Sequence, residues 1–230
     1  MQLKILSWNI WMAGDFNFRL ITQFLRSSNA DIIGLQEVIP ECKGQDVVGF
    51  LTGLDYHHVF STTLELRTDG VRQANAIFSK YPIQASKTHV LSEEERRVAV
   101  EADIPVGNTV LSVFSVHTLH THQKESELLT RQVDRLIQVL PKEKAIVLGD
   151  FNATPEMTPI KRIRKVLVDT APFSQPTWSL SEEGCSVCKP KALDTRLDYI
   201  FVSKDIAWSS FKVEDAKGSD HLPISVIVKI

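Results

Sequence analysis

Several apolar runs in this 230-residue chain end at, or begin beside, a residue that is costly to bury. In the stretch IVLGDFNATP, residues 146–155, an apolar run stops at Gly149 and is followed by Asp150 and Asn152. The same pattern recurs at Asn9, Glu37, His117, Asp198, Asp220 and His221. Burying an uncompensated polar group costs about 2–7 kcal/mol. The recurrence predicts that these strand ends converge on one polar cleft carried by a rigid scaffold.

The residue types in this set define the chemistry of the predicted cleft. Its carboxylates and amides are hard oxygen donors, which suit Mg²⁺ or Mn²⁺. Its two imidazoles, from His117 and His221, can hydrogen-bond or transfer protons near neutral pH. No cysteine accompanies the set, so zinc is not the first expectation for it. A divalent metal, two imidazoles and an oriented carboxylate predict metal-assisted hydrolysis of a phosphate ester.

Each of these residues also has a common structural explanation. Asn9 could cap a strand, and His117 could be a hydrogen-bonded core histidine. The segment GDFN at 149–152 is typical of a turn in which Asp and Asn bond their own backbone. Asp220 and His221 could lie in a surface loop. Singly these explanations are about as good as a functional one, but together they require many coincidences, so the set favours a site.

The elements that must position these residues are mostly strands, with a few helices between them. Helices are expected over residues 18–30, 124–140 and 157–167, and the second of these has a clear apolar stripe. Strands are expected over the segments 3–11, 30–38, 74–83, 96–106, 109–120, 144–152, 196–203 and 221–230. Short apolar strands are typical of sheets that are covered on both faces. The pattern predicts a layered α/β fold with two packed sheets and flanking helices.

Length and charge set limits on the domain organisation and the partners. A chain of 230 residues with 43% hydrophobic content suits a single domain over residues 1–230. The net charge of −2 gives no general affinity for polyanions. Any contact with nucleic acid or another phosphate ester must therefore be made through a local site. No obligate protein partner is evident from the sequence.

The N-terminus and the cysteines predict a cytoplasmic, reducing setting. Residues 1–11 are too short and too polar for a signal peptide or a membrane span, so no membrane insertion is expected. Three cysteines are an odd number and too few to stabilise a chain of this size by disulfide bonds. Cys185 and Cys188 form a C-x-x-C pair, but no second cysteine pair exists and Cys42 alone does not complete a zinc site. A loop with two free thiols is therefore favoured over metal or redox chemistry.

Seven short motifs that contain these residues occur along nearly the whole chain. They are SWNI at 7–10, LQEV at 35–38, RQANAIFSKYPI at 72–83, SVHT at 115–118, LGDFN at 148–152, RLDYIFVS at 196–203 and GSDHLPI at 218–224. In this order they resemble the endonuclease/exonuclease/phosphatase superfamily of DNase I-like, metal-dependent phosphodiesterases. The resemblance implies a four-layered α/β sandwich, in which two packed mixed β-sheets are flanked by helices.

The resemblance also implies a metal site. Glu37 would bind the divalent metal, assisted by Asn9 and Asp220. The expected ion is Mg²⁺, with Mn²⁺ as a possible substitute.

Five further matched residues receive catalytic roles from the resemblance. Asp150 would orient or deprotonate the attacking water, and Asn152 would hold a phosphate oxygen. His221, steadied by Asp198, would contact the scissile phosphate and stabilise charge. His117 would bind another phosphate oxygen or help the leaving group. The general base stays open between the aspartate and the histidine.

The substrate is less well specified than the chemistry. The leading prediction is a phosphodiesterase or nuclease that acts on DNA or RNA or on nucleic-acid ends. The alternative is a phosphatase or phosphodiesterase on a small or lipid-derived ester, such as an inositol phosphate or sphingomyelin. The third alternative is a non-catalytic binding module with the same fold. Asn75, Arg72 and Trp178 are the predicted substrate contacts; a tryptophan that stacks on a base contributes about 1–3 kcal/mol.

Basic residues supply two further candidate surfaces. The run KRIRK at 161–165 could grip a nucleic-acid backbone, although the solvated face of a helix is slightly favoured. Arg67, Arg96 and Arg97 could rim the cleft beside Arg72 and clamp a phosphate with two hydrogen bonds. Arg96 and Arg97 could equally be exposed strand positions.

Overall fold

Two six-stranded β-sheets form the centre of the molecule in the computed structural model, which describes residues 1–11, 16–40, 42, 44–62, 72–181, 185 and 187–230. The strands in the described residues are β1 (Gln2–Asn9), β2 (Ile32–Val38), β3 (His57–Thr62), β4 (Ala74–Ser79), β5 (Ala85–Ser92), β6 (Arg97–Val106), β7 (Thr109–His117), β8 (Ala145–Asp150), β9 (Val168–Asp169), β10 (Asp198–Val202), β11 (Ala207–Val213) and β12 (Ile224–Lys229). The first sheet has the order β11-β12-β1-β2-β4-β3, and the second has the order β5-β6-β7-β8-β10-β9. Both sheets are mixed, because β1 and β2 pair in parallel, as do β7 and β8.

Helices cover the outer face of each sheet. They are α1 (Phe18–Ser28), α2 (Val47–Thr52), α3 (Glu127–Val139) and α4 (Thr158–Ile163). Side chains that accept from backbone amides begin three of them; Asn17, Asp46 and Ser126 cap α1, α2 and α3. Asn29 ends α1 in the left-handed conformation.

Three apolar clusters separate the four layers. The innermost cluster lies between the sheets and includes Ile5 of β1 and Leu148 of β8. A second cluster joins α1 and α2 to the first sheet, and a third joins α3 and α4 to the second sheet. The predicted four-layered α/β sandwich, with two packed mixed sheets flanked by helices, is therefore confirmed.

Strand alternation explains why the polar strand ends face one another. Successive side chains of a strand point to opposite faces of the sheet. In β8, Ile146 and Leu148 belong to the cluster between the sheets while Val147 belongs to the outer cluster, so Asp150 continues the inner face. The same two-residue period assigns the terminal residues of β1, β7 and β10 to the inner face; these are Asn9, His117 and Asp198.

Glu37 reaches the cleft through an irregularity in β2. Strict alternation would place it on the helix-covered face with Ile33 and Leu35. Instead, Glu37 has a φ of 59°, and the pairing of β2 with β4 shifts register between Leu35 and Val38. Such irregularities commonly redirect a side chain beside a functional site.

Gly149 sets the position of Asp150. Its φ is 143°, and a Cβ added to it would lie 2.0 Å from the carbonyl oxygen of Val116 on the neighbouring strand β7. Glycine is therefore required for β8 to pack against β7 at this point.

We expect Gly149→Ala to lower the free energy of unfolding by about 2–6 kcal/mol, because it adds backbone strain and a clash with the backbone. Urea titration followed by circular dichroism measures this loss. Gly107→Ala is the matched control, since Gly107 has a φ of 59° and nothing within 4 Å of its added Cβ. The control should lose only about 1–2 kcal/mol. Equal losses in the two variants would contradict the packing explanation.

The strands that the sequence analysis did not predict are the four edge strands, β3, β5, β9 and β11. Their side chains are largely exposed or half-buried; in β5, for example, the first four residues are exposed. They lack the apolar runs on which the prediction relied. The short helix α2 was also missed.

Candidate active site

Asn9 joins the two sheets at the end of the inner cleft. Its Nδ2 donates to Oε1 of Glu37 at 3.2 Å and to Oδ2 of Asp150 at 3.1 Å. Its Oδ1 accepts from the Trp11 amide at 3.0 Å, and its carbonyl oxygen accepts from Ser219 Oγ at 2.7 Å. The amide therefore holds a carboxylate from each sheet in a fixed relation.

Asp150 lies at the centre of the cleft. The strand register places it opposite His117 on one side and Asp198 on the other. Its Oδ1 accepts from the Asn152 amide at 2.8 Å. Burial raises the pKa of Asp150 to about 7, against the lowering influence of the positive charge on His221. A carboxyl with this pKa can exchange protons near neutral pH.

His221 is held between carboxylates by its two ring nitrogens. Nδ1 lies 2.9 Å from Oδ2 of Asp198, while Nε2 lies 3.7 Å from Oδ2 of Asp150 and 4.0 Å from Oδ1 of Asp220. Burial alone would lower the pKa of His221, but the three carboxylates raise it well above its usual value. The surrounding carboxylates therefore favour the imidazolium form of His221.

Thr177 fixes the carboxylate that orients His221. It is fully buried, and its Oγ1 donates to Oδ2 of Asp198 at 2.6 Å. The same oxygen accepts from the amides of Leu197 and Asp198 at 3.1 and 3.2 Å. Asp198 thus has a locked position, as expected for a residue that sets the orientation of a catalytic histidine.

The pKa of His117 is shifted in the opposite direction to that of His221. Its Nε2 lies 3.4 Å from Oδ2 of Asp150. Burial lowers the pKa of His117 well below its usual value, and the positive charges of Arg97 and His221 lower it further. The cleft therefore contains one neutral and one cationic imidazole, which can take different roles.

Asn152 lies two residues beyond Asp150 in the left-handed conformation, with a φ of 46°. Its Nδ2 donates to the Thr118 carbonyl oxygen at 3.1 Å, and its Oδ1 lies 2.6 Å from Nδ1 of His120. The second hydrogen on Nδ2 can donate to a ligand oxygen. Both ends of the amide are fixed before any ligand binds.

The donor set at Glu37 and Asp220 fits a hard divalent cation. Oδ2 of Asp220 accepts from Nε1 of Trp178 at 2.8 Å, while Oδ1 is buried without a partner among the described residues. Glu37 accepts from Asn9 and, at 2.8 Å, from Nε2 of Gln73. Burial raises the pKa of both carboxyls; repulsion from Asp220 adds to the rise at Glu37, and repulsion from Asp198 adds to the rise at Asp220. A bound cation would relieve this.

The structure places the three predicted substrate contacts in different settings. Arg72 is exposed beside the polar cleft residue Gln73. Asn75 is buried, and its Nδ2 donates to the Val98 carbonyl oxygen at 2.8 Å, which links the two sheets. Trp178 is only 4% exposed and supports Asp220, so its indole is not an open platform for a base.

The structure describes two of the three arginines that were predicted to rim the cleft beside Arg72. Arg67 lies outside the described residues. Arg96 is exposed, with a φ of 55°. Arg97 is near enough to His117 to lower its pKa, and its buried Nε has no partner among the described residues. Arg97 is therefore the better candidate for a phosphate clamp.

Two of the four basic residues in the run at 161–165 form ion pairs. Arg162 forms an ion pair with Asp134 of α3. Arg164 pairs with Asp169 at 2.7 Å and donates to the Pro155 carbonyl oxygen at 3.1 Å. The favoured interpretation, a solvated helix face, agrees with these contacts.

Three supporting residues of the site were missed from the sequence. Gln73 lies within a recognised motif, but its contact with Glu37 spans 36 residues of sequence. Thr177 precedes Trp178 in a segment with no periodic pattern. His120 lies three residues after His117, and a second histidine after a strand end was the available signal.

A pH-dependent stability measurement tests the environment of Asp150. The folded-state pKa of about 7 exceeds the ordinary value of 3.8, so the folded protein binds more protons between these values. In metal-free buffer, wild-type stability should therefore lose a contribution from this group as pH rises from about 4 to about 7. Asp150→Asn should gain melting temperature relative to wild type over that window, with no gain below about pH 4. Scanning calorimetry of both proteins tests this; a pH-independent difference would contradict the assignment.

The fold and the site together define the class of this protein. Two six-stranded mixed sheets, with a polar cleft at the strand ends, form the DNase I-like α/β sandwich. The chain belongs to the Endonuclease/Exonuclease/phosphatase family, whose family model matches residues 6–221. Members of this family are generally phosphoesterases and are typically metal-dependent.

Solved structures with low sequence identity share the fold. An endonuclease/exonuclease/phosphatase from Beutenbergia cavernae superposes with a TM-score of 0.81 at 19% identity, covering 100% of this chain and 72% of its own. The human Nocturnin catalytic domain gives 0.74 at 18% identity, covering 99% and 94%. ANGEL2, described as a 2′,3′-cyclic phosphatase, gives 0.78 at 13% identity, covering 99% and 95%. A search of curated protein sequences gave no significant match.

The helices were also compared with the requirements of a bilayer. Within the described part of the chain, no helix combines the length and apolar character needed to cross a membrane.

Proposed function

We propose that this protein is a Mg²⁺-dependent phosphodiesterase with residues 1–230 acting as one domain. The observation that carries the proposal is the position of Asp150, a carboxyl with a pKa of about 7, between a neutral and a cationic histidine. A general base works best when its pKa lies near the working pH.

The metal site of this proposal consists of Glu37 and Asp220, with Asn9 as the residue that positions Glu37. A bound Mg²⁺ would polarise the phosphoryl oxygen and offset the charge that develops on it. Oδ1 of Asp220, which is buried and has no hydrogen-bond partner among the residues that the structure describes, supports this assignment.

The residues of the chain divide the remaining work by charge state. Asp150 accepts the proton of the attacking water. Asn9 and the backbone amide of Asn152 hold the two carboxylate oxygens of Asp150 in place. The His221 imidazolium, aligned by Asp198, stabilises negative charge on the phosphate. His117 is neutral and can donate a hydrogen bond to the leaving oxygen.

The phosphate oxygens also need fixed hydrogen-bond donors that take no part in proton transfer. The Nδ2 of Asn152 supplies one, since its Oδ1 is held by His120. The guanidinium of Arg97 is a second candidate, because its Nε is buried without a partner in the described part of the chain. Fixed donors that do not need to reorganise during the reaction are the most effective kind.

Nucleic acid or a nucleic-acid end is the leading substrate class. The net charge of −2 and the paired arginines at 161–165 disfavour wrapping of a long duplex. A short single-stranded segment or a terminal or cyclic phosphodiester needs only a local site. ANGEL2, which has the same fold, is described as acting on 2′,3′-cyclic phosphates, and this supports testing such ends first.

A substrate panel tests the proposal with the purified full-length chain in Mg²⁺. It contains single-stranded DNA and RNA, a 5′-tyrosyl DNA end, a 2′,3′-cyclic phosphate end, an inositol phosphate and sphingomyelin. We expect Mg²⁺-dependent cleavage of at least one nucleic-acid substrate, at a higher kcat/KM than any other substrate. Preferred cleavage of the inositol phosphate or sphingomyelin would replace the substrate class. Failure to cleave any of them, with no Mg²⁺ binding by calorimetry, would identify a binding module instead.

A further inference from the structure

Four metal-ligating side chains outside the catalytic cleft converge beside it. They come from the segment after β7 and from the long connection between β9 and β10, and they are His120, His122, Cys185 and Cys188. One ligand atom from each lies within 4.8 Å of the others. Nδ1 of His122 lies 3.3 Å from Cys185 Sγ and 3.4 Å from Cys188 Sγ, and Nε2 of His120 lies 3.7 Å from Cys188 Sγ.

The three sulfur-to-nitrogen separations match a tetrahedral metal, whereas the sulfur-to-sulfur separation lies between the values for a disulfide and for two zinc-bound thiolates. With Zn–S of about 2.3 Å and Zn–N of about 2.0–2.1 Å, ligand atoms around zinc lie roughly 3.3–3.8 Å apart. Three measured distances fall in this range. The two sulfur atoms lie 2.8 Å apart, which is beyond the roughly 2.05 Å of a disulfide, and ligation would separate them further.

The hydrogen bond of His120 selects its ligating nitrogen. Nδ1 faces Oδ1 of Asn152 at 2.6 Å, so it carries the proton, and Nε2 keeps its lone pair directed at the sulfurs. Histidines that bind metals commonly donate their other ring N–H in this way. This bond is independent of the C-x-x-C pattern and indicates the same site.

The segment that contains the two cysteines, residues 170–197, has little regular secondary structure among the residues that the structure describes. Residues 170–197 contain isolated bridges at Trp178 and no helix or strand among the residues that the structure describes. Their apolar cluster consists of Trp178, Cys185 and Leu197, with Cys188 packed against it. Connections longer than about 12–15 residues without regular structure are uncommon in compact domains.

We propose that His120 Nε2, His122 Nδ1, Cys185 Sγ and Cys188 Sγ bind one Zn²⁺ ion as a structural site. Two thiolates and two imidazoles in a closed tetrahedral set are typical of structural zinc and unsuited to Mg²⁺. The C-x-x-C motif alone does not predict this site, because no second cysteine pair is present in the sequence; the second pair of ligands is the H-x-H of residues 120–122.

The zinc site is also a positioning device for the cleft. His120 bonds Asn152, and its ring lies edge-on to Trp178, with centroids 6.1 Å apart. Trp178 in turn donates to Asp220. The zinc ligand His120 therefore fixes the side-chain amide of Asn152 by a hydrogen bond. It also supports the carboxylate of Asp220 through Trp178. This role rests on the proposed function, while the binding of zinc does not.

Zinc content tests the proposal independently of activity. The full-length chain is expressed with zinc and purified without chelator, and its metal is measured by mass spectrometry. We expect about one zinc per chain in wild type, in the thiol control Cys42→Ser and in the cleft variant Glu37→Gln. The double variant Cys185→Ser/Cys188→Ser and the variant His122→Ala should each lose most of it, whereas His57→Ala, at an exposed histidine, should retain it.

Substitution with Co²⁺ in the wild-type chain keeps the test decisive if the cysteine variants fail to fold. Bound Co²⁺ should give thiolate-to-metal charge-transfer absorption and the strong visible bands of tetrahedral coordination. Wild type with no bound zinc, a Cys185–Cys188 disulfide in the purified protein, or a Co²⁺ spectrum without thiolate bands would each overturn the proposal. Full zinc content with no hydrolysis of any phosphate ester would leave this site intact and reject the proposed function.

Discussion

Asp150→Asn is expected to lower kcat for Mg²⁺-dependent phosphodiester hydrolysis by about a hundred- to ten-thousandfold. The asparagine keeps the shape of the side chain, and its Oδ1 can still accept from the Asn152 amide. Its NH2 group can neither accept from Nδ2 of Asn9 nor take a proton from water. Loss of a positioned general base removes about 10²–10⁴-fold in rate. Since the buried carboxylate is a charge with a cost, its removal should leave the fold intact or more stable.

Steady-state kinetics with a chromogenic diester measures this effect, alongside a melting curve. The matched control is Asp55→Asn, because Asp55 is exposed and its left-handed φ of 64° suits asparagine equally well. The control should retain wild-type kcat. If Asp150→Asn turned over substrate at a rate near that of wild type, Asp150 could not be the base.

His221→Ala is expected to lower kcat by about a hundred- to a thousandfold, the usual effect of removing one preorganised charge-stabilising group. A second effect follows from electrostatics. The positive charge on His221 lowers the pKa of Asp150, so its removal should raise that pKa. The acid limb of the pH–rate profile should therefore move to higher pH in the variant.

The control for this variant is His57→Ala, which removes an exposed imidazole from the edge strand β3. A His221→Ala protein with reduced kcat but an unmoved acid limb would show that His221 acts on the phosphate without influencing Asp150. A protein with unchanged kcat would remove His221 from the mechanism.

The convergence of the polar strand ends could be predicted from the sequence where strand alternation decides the geometry. The inner face of β8 is apolar until Asp150, and that of β10 is apolar after Asp198, its first residue. In β1 and β7 one buried serine, Ser7 or Ser115, precedes the polar last residue. A buried run followed by a carboxylate, amide or imidazole is visible in one dimension. The packing of two such sheets brings the ends together, which is why Asn9, Asp150 and Asp198 were predictable as a set.

Features that depend on long-range contacts or on local backbone exceptions were not accessible in this way. The left-handed φ of Glu37 turns its carboxylate into the cleft against the two-residue period. The burial of Trp178 follows from its bond to Asp220, which lies 42 residues away. The H-x-H and C-x-x-C pairs are more than 60 residues apart, and only the fold brings them within 3.7 Å.

The same long-range contacts connect the two proposed metal sites. Asn152 lies between Asp150, whose Oδ1 accepts from its backbone amide, and His120 of the zinc site. A loss of zinc should therefore disturb the contact of Asn152 with phosphate more than it disturbs the carboxylate of Glu37. Kinetically, this predicts that zinc-depleted protein loses more in kcat than in Mg²⁺ affinity.

The proposed active site is tested by the rate of p-nitrophenolate release from bis-p-nitrophenyl phosphate by the purified, zinc-replete chain. Mg²⁺ is omitted or restored by dialysis, so that no chelator removes zinc. We expect turnover that requires Mg²⁺ and that falls by about a hundred- to ten-thousandfold in Asp150→Asn. Turnover that is independent of Mg²⁺, or that is equal in wild type and Asp150→Asn, would contradict the placement of a phosphodiesterase site at the ends of these strands.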